Sequence, residues 1–264
     1  MADGRTHQKY LQIYQNGYDL TGEIHRIGDL DWDYDFIEIA GLNWAIQGGY
    51  CERGHINTGQ VNTILRFDTT AADSPHDWIT GMDGKSVNTM IPFGIRASPV
   101  MGDPVWMAVH EQKSSKVTPA DSGLVVGTIN YSPSYDDALN NAMLYDIPWG
   151  YLLHAKAART AASTATGHDN GAETSKGGWM MAQVFACAGT GNVTIKIQHA
   201  STNLNASFED VTGLTTGAIA NTAIPGAIVK QAAIDATIKQ YTRWQIALSG
   251  ITSVTFALAF VRGR

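Results

Sequence analysis

The side chains best equipped for chemistry in this chain are eight histidines, two cysteines and a row of aspartates. No histidine stands in H-x-E, H-E-x-x-H or H-x-H spacing, and no Gly-x-Ser-x-Gly turn is present to lift a serine nucleophile. His110-Glu111 and His154 therefore read as strand-end or solvent-facing residues, and no catalytic residue, cofactor site or metal site is expected. Gly81-Met82-Asp83-Gly84-Lys85-Ser86 ends like a phosphate loop, but its first glycine lies too close to the lysine for the backbone to cradle a phosphate. Cys51 and Cys187 are far apart and lack C-x-x-C spacing, which argues for two buried thiols over a disulfide framework or a zinc site.

The aspartates are the most patterned feature. In Gly28-Asp29-Leu30-Asp31-Trp32-Asp33-Tyr34-Asp35-Phe36 every second residue is acidic, so an extended backbone places Asp29, Asp31, Asp33 and Asp35 on one face and apolar bulk on the other. A calcium loop would need glycine at its sixth position and a distal glutamate, and Tyr34 occupies that sixth position. Alternate carboxylates on a straight strand also stand roughly 7 Å apart, too far to share one ion. Alternation alone gives a solvated acidic strand face and does not say what that face meets.

The elements that would carry these residues are mainly strands. Hydrophobic residues make up 44% of the 264 and charged residues 16%, a balance that suits a folded chain with a real core. The formal charge of -6 opposes tight electrostatic binding to a phosphate backbone. No stretch approaches membrane-spanning length and Met1 to Lys9 has no apolar run, so a protein made in a cytoplasm is expected.

Tyr10 to Tyr14 reads as a first strand, ended by a tight turn at Asn16-Gly17. Ile24 and Ile27 lead into the aspartate strand, which ends at Ala40-Gly41. Asn43 to Arg53 reads as a loop and Ile56 to Phe67 as a strand. Ser74 to Gly81 has an N-cap serine, proline at the first helical position and a glycine stop, predicting a short helix. Strands follow over Val87 to Ile95, Val105 to His110 and on toward Val117, Leu124 to Tyr131 and Tyr145 to Ala155; Asp136 to Leu144 is ambiguous between helix and loop. Small residues and threonine dominate Ala155 to Gly178, which marks a boundary. Beyond it Val193, Ile195 and Ile197, then Trp244, Ile246 and Leu248, then Val254, Phe256, Leu258 and Phe260 alternate with smaller or polar residues. Ala227 to Gln240 reads as two strands broken near Asp235-Ala236. The expected fold is all-β: residues 1–155 one β domain with a short flanking helix, 156–178 a linker or exposed loop, and 179–264 a β-sandwich.

Gly17-Tyr18-Asp19-Leu20-Thr21-Gly22 after a short strand resembles the Gly-Tyr-Asp-Leu-Ser-Gly opening of major tail tube proteins of long-tailed phages, with Thr21 in place of serine. Gly102-Asp103-Pro104, Gly178-Trp179, Val193 to Ala200, Phe208-Glu209-Asp210, Tyr241 to Trp244 and Phe256 to Arg262 are similar to later parts of the same proteins, in the same order. The resemblance implies a non-enzymatic virion subunit, a tail-tube-like sandwich or half-barrel that assembles into stacked rings, hexamers favoured, with other tail proteins as further partners. DNA would pass through without tight binding, and Asp29, Asp31, Asp33 and Asp35 would line or approach the lumen. The segment 179–264 would be an outer decoration or a second tube-like domain. A competing expectation is a carbohydrate- or receptor-binding tail module using Trp44, Trp179 and Trp244, for which core packing is the plainer role.

Overall fold

A computed structural model describes residues 11–21, 24–27, 32–39, 50–58, 63–66, 86–94, 98–119, 125–133, 149–163 and 167–263. The strands among them are, in chain order, β1 Tyr14–Gln15, β2 Tyr18–Asp19, β3 Ile24–Ile27, β4 Trp32–Ile39, β5 Tyr50–Thr58, β6 Thr63–Arg66, β7 Ser86–Pro92 and β8 Pro104–Pro119. They continue as β9 Val125–Pro133, β10 Trp149–Arg159, β11 His168–Asp169, β12 Gly178–Ala200, β13 Glu209–Thr215, β14 Ile219–Ala220, β15 Gly226–Gln231 and β16 Tyr241–Arg262. Helix among the described residues is limited to single 3-10 turns at Asn205–Ser207 and Asn221–Ala223. The all-β expectation holds; the helix predicted over Ser74 to Gly81 and the ambiguous Asp136 to Leu144 lie outside the described residues.

One 14-stranded antiparallel sheet follows the order β13-β12-β16-β10-β8-β7-β1-β2, and β4 with β5 forms a separate pair. The long strand β8 serves two neighbours on one side. Its start pairs with β10 at Pro104 to Trp106, and its far half pairs with β9, which continues to β6 and β3. β12 and β16 pair from Gly178↔Arg262 to Ala200↔Tyr241, and β10 lies on the other side of β16.

Burial explains the alternation in the sequence. Val193, Ile195, Ile197, Val254, Phe256, Leu258 and Phe260 enter one core cluster with Val211 and Leu214 of β13. The alternating Ala257, Ala259 and Val261 are buried as well, on the opposite face of β16. That second face meets Tyr14, Met90, Val105, Met107, Trp179 and Met181, so the sheet curls until strands from both ends of the chain share one interior. Small side chains on β16 suit this second contact, because two covered faces leave room for bulk on only one.

Several boundaries differ from the sequence reading. Tyr50 to Arg53 is strand and not loop, because Phe36 to Ile39 gives it a partner, with Ile39↔Tyr50 and Ile37↔Glu52 in register. The single strand expected over Ile56 to Phe67 is divided between β5 and β6. β1 is only two residues long, and Leu11 makes one bridge to Phe93. Of the two strands expected across Ala227 to Gln240, β15 forms against β12, but Ile238 makes a single bridge, to Thr174. β10 also runs to Arg159, four residues past the Ala155 at which the sequence reading ends it.

Candidate functional site

The Gly17-to-Thr21 motif forms a tight turn with φ of 47° at Asn16 and 82° at Gly17. β1 and β2 are joined by it, with Gln15↔Tyr18 in register, and the Leu20 N–H donates to the Ile13 carbonyl at 2.9 Å. The Thr21 hydroxyl accepts the Ile13 N–H at 3.1 Å, and the Thr21 N–H donates to Asp19 Oδ1 at 3.1 Å. The motif's hydroxyl and carboxylate therefore close the turn itself. Its glycine does something further. The Gly17 N–H donates to Gln183 Oε1 on β12 at 2.7 Å, and Gln183 Nε2 donates to the Asn88 carbonyl on β7 at 2.7 Å. Asp19 also pairs with Lys156 of β10 at 2.6 Å. A Cβ on Gly17 would stand 2.2 Å from the Gly226 nitrogen and 2.5 Å from the Val184 carbonyl oxygen, so no side chain fits there. Gln183 thus bridges the gap left where the curled sheet brings its first turn against β12 and β15. Nothing in the sequence marked Gln183 for this role; Gly22 lies outside the described residues.

The histidine readings are corrected. His110 and His154 are buried inside the sheet, neither at a strand end nor facing solvent. His110 stacks on Trp106 and lies against Tyr131, with ring centroids 5.6 and 5.5 Å away. Both its ring nitrogens, and the Trp106 indole nitrogen, lack a hydrogen-bond partner among the described residues. Burial pushes its pKa down to about 3, so it is neutral. The apolar run Val105 to Val109 before it was the available signal for burial. His154 lies against Phe256, centroids 4.1 Å apart, and its Nδ1–H donates to the Phe256 carbonyl at 3.1 Å. Nε2 is therefore an acceptor and receives the Arg159 Nε–H at 2.7 Å. Burial first, and the Arg159 charge second, lower its pKa to about 4. β10 is irregular on both sides of His154, which defeats simple alternation as a guide to its facing.

Of the aspartate row, Asp33 and Asp35 lie on β4, and Asp29 and Asp31 lie outside the described residues. Asp33 pairs with Asn57, while Asp35 stands opposite Gly54 and His55, where the ladder slips by one residue. Cys187 is a free, partly exposed thiol, against the expectation of burial. Trp179 is fully buried and Trp244 half-buried beside His154, while Trp44 lies outside the described residues. Among the described residues no group of three His, Cys, Asp or Glu is placed to hold a metal ion, and no helix is long and apolar enough to cross a membrane.

Among the described residues, two clefts border the segment that joins β10 to β12. One, of about 450 Å³, is lined by Trp149, Tyr151, His168, Asp169, Asn170 and Arg262. Tyr151 and His168 rings lie 4.2 Å apart at its wall, and burial raises the Tyr151 pKa and lowers that of His168. Trp149 is 39% exposed at its rim. The other, of about 380 Å³, runs along Ala158 to Ser163 beside Trp244.

No protein-family model matches the chain, and no curated protein matches it. Among solved structures it is similar to a chain of the sheath–tube complex of an extracellular contractile injection system, PVC, in the extended state. That match has 13% identity and a TM-score of 0.39 over 50% of this chain and 90% of the other. The Dit protein of phage SPP1, described as a hub of the adsorption apparatus, matches at 13% identity and TM-score 0.32, over 95% and 98% of the two chains. A chain of the phage P2 baseplate in its activated conformation matches at 9% identity and TM-score 0.37, over 94% and 97%. These likenesses are distant in both sequence and superposition.

Proposed function

We propose that the chain is a structural subunit of a phage tail tube, assembling with copies of itself into stacked rings around a DNA conduit. The observation that carries this reading is the open sheet: β13 and β2 end it with a ladder on one side only, among the described residues. Exposed ladder edges invite pairing, and head-to-tail pairing between identical copies closes a ring when the rotation permits. The ordered tail-tube motifs support the same reading, and their opening turn is the element that Gln183 ties to β12. A net charge of -6 suits a wall along which DNA slides without sticking.

Within this reading the ring is a hexamer, or a trimer if both halves contribute tube-like units. Residues 1–155 supply the tube wall, 156–178 an exposed connection, and 179–264 an outer or second tube-like part. The division is one of surface roles, since one interior cluster draws on both sides of it. Asp29, Asp31, Asp33 and Asp35 contribute to the acidic wall. The chain acts without catalysis, in the virion tail, alongside other tail proteins. Electron microscopy of the purified protein tests this: rings or tubes are expected, and a monomer at every concentration and salt tried would overturn it.

The cleft at Trp149 favours a second reading, a carbohydrate- or receptor-binding tail module, because an exposed indole beside Asp169, Asn170 and Arg262 offers a stacking face with polar groups around it. A glycan array separates the two: saccharide binding by a monomer that never assembles supports the module.

A further inference from the structure

We infer that the groove along Ala158 to Ser163 is a binding site for a small anionic ligand carrying a carboxylate or phosphate, with Arg159 as its anchor. His154 sets the orientation of this arginine. Its Nδ1–H is committed to the Phe256 carbonyl, so its Nε2 lone pair faces Arg159 and receives the Nε–H at 2.7 Å. Stacking on Phe256 fixes the ring plane. The guanidinium is thereby fixed at one corner by a neutral acceptor, which orients it without cancelling its charge.

The rest of the guanidinium is held on one side by Trp244, whose ring centroid lies 5.4 Å from Cζ. The described ion pairs are Lys156–Asp19, Lys196–Asp210, Lys239–Glu209 and the contact of His199 with Glu209, none of which involves Arg159. Its two terminal nitrogens therefore present paired donors at an exposed position, on the lip of a groove of about 380 Å³. Two parallel N–H donors match the two oxygens of a carboxylate or phosphate end-on. Arg262, by contrast, spends a donor on the Ala172 carbonyl, and Arg243 is enclosed by Gln198, Asn205 and the Phe208 ring. The far end of the groove is tied to β16, where the Ser163 N–H donates to Gln245 Oε1 at 2.9 Å.

Arginine modification by phenylglyoxal on the full-length protein, mapped by mass spectrometry, tests the site. Inorganic phosphate, glucuronate and uncharged glucose are the added probes. At an anion concentration ten times its Kd, modification of Arg159 is expected to slow about tenfold, with no effect of glucose. Protection by glucuronate alone assigns a carboxylate ligand, and protection by phosphate alone assigns a phosphate. A rate at Arg159 that neither anion changes, or equal slowing at Arg262, overturns the inference. His154→Phe keeps a ring against Phe256 but removes the acceptor, and is expected to abolish protection while Arg159 still reacts. Protection retained in that variant overturns the positioning role of His154, and the experiments on the unaltered protein stand whether or not the variant folds.

Discussion

At the scale of single residues, Gly17 and Gln183 do what no motif search assigned them. Gly17→Ala meets both a positive φ and two backbone atoms within 2.5 Å, so it is expected to cost more than about 2 kcal/mol in urea unfolding. Gly217 has a φ of 68° in open space, and Gly217→Ala is expected to cost only about 1 kcal/mol. Lys156→Ala removes an ion pair whose partners are about one-third exposed, and is expected to cost under about 1 kcal/mol. His110 gives a pH signature. Its pKa is about 3 when folded against about 6.5 unfolded, so the unfolded chain binds more protons between those values. Stability is full above about pH 6.5 and falls as pH drops, by about 1.4 kcal/mol per unit per histidine, with His154 adding to the slope down to about 4. His110→Leu is expected to flatten part of that slope and to lose nothing at pH 7, since neither nitrogen has a partner. Urea midpoints at pH 7 and 5 check both statements. The turn at Asn16-Gly17 was readable because its positive φ values are what those two residue types favour locally; the fates of His110 and His154 were not, because tertiary packing decides them.

At the scale of elements, strands with strict alternation were readable and interrupted ones were not. Val193, Ile195 and Ile197 fall on the buried face as their pattern says. β10 hides the facing of His154 behind two register irregularities, and Tyr50 to Arg53 becomes strand only because β4 is there to pair with it. The pairing of β12 with β16 predicts where the fold is firmest. Met180 to Val184 has ladder partners on both sides, β15 and β16, and Phe256 to Phe260 lies between β10 and β12. Amide hydrogen exchange is expected to be slowest in those two stretches and fast around Thr190, where the β12–β16 register slips. Equal exchange rates in the two regions would contradict this.

For the whole molecule, the shared interior between Tyr14, Met107, Trp179 and Ala257 was invisible in a sequence whose composition shift suggested separable halves. If the open edges are assembly surfaces, Tm is expected to rise with protein concentration by mass action, checked by calorimetry over a hundredfold range. The bond from Gly17 to Gln183 spans 166 residues of chain. During synthesis the turn can meet β7 early, but its acceptor does not exist until β12 has been made. The turn therefore waits for β12 before it is secured, and β12 in turn waits for β16, its ladder partner from Gly178↔Arg262 to Ala200↔Tyr241.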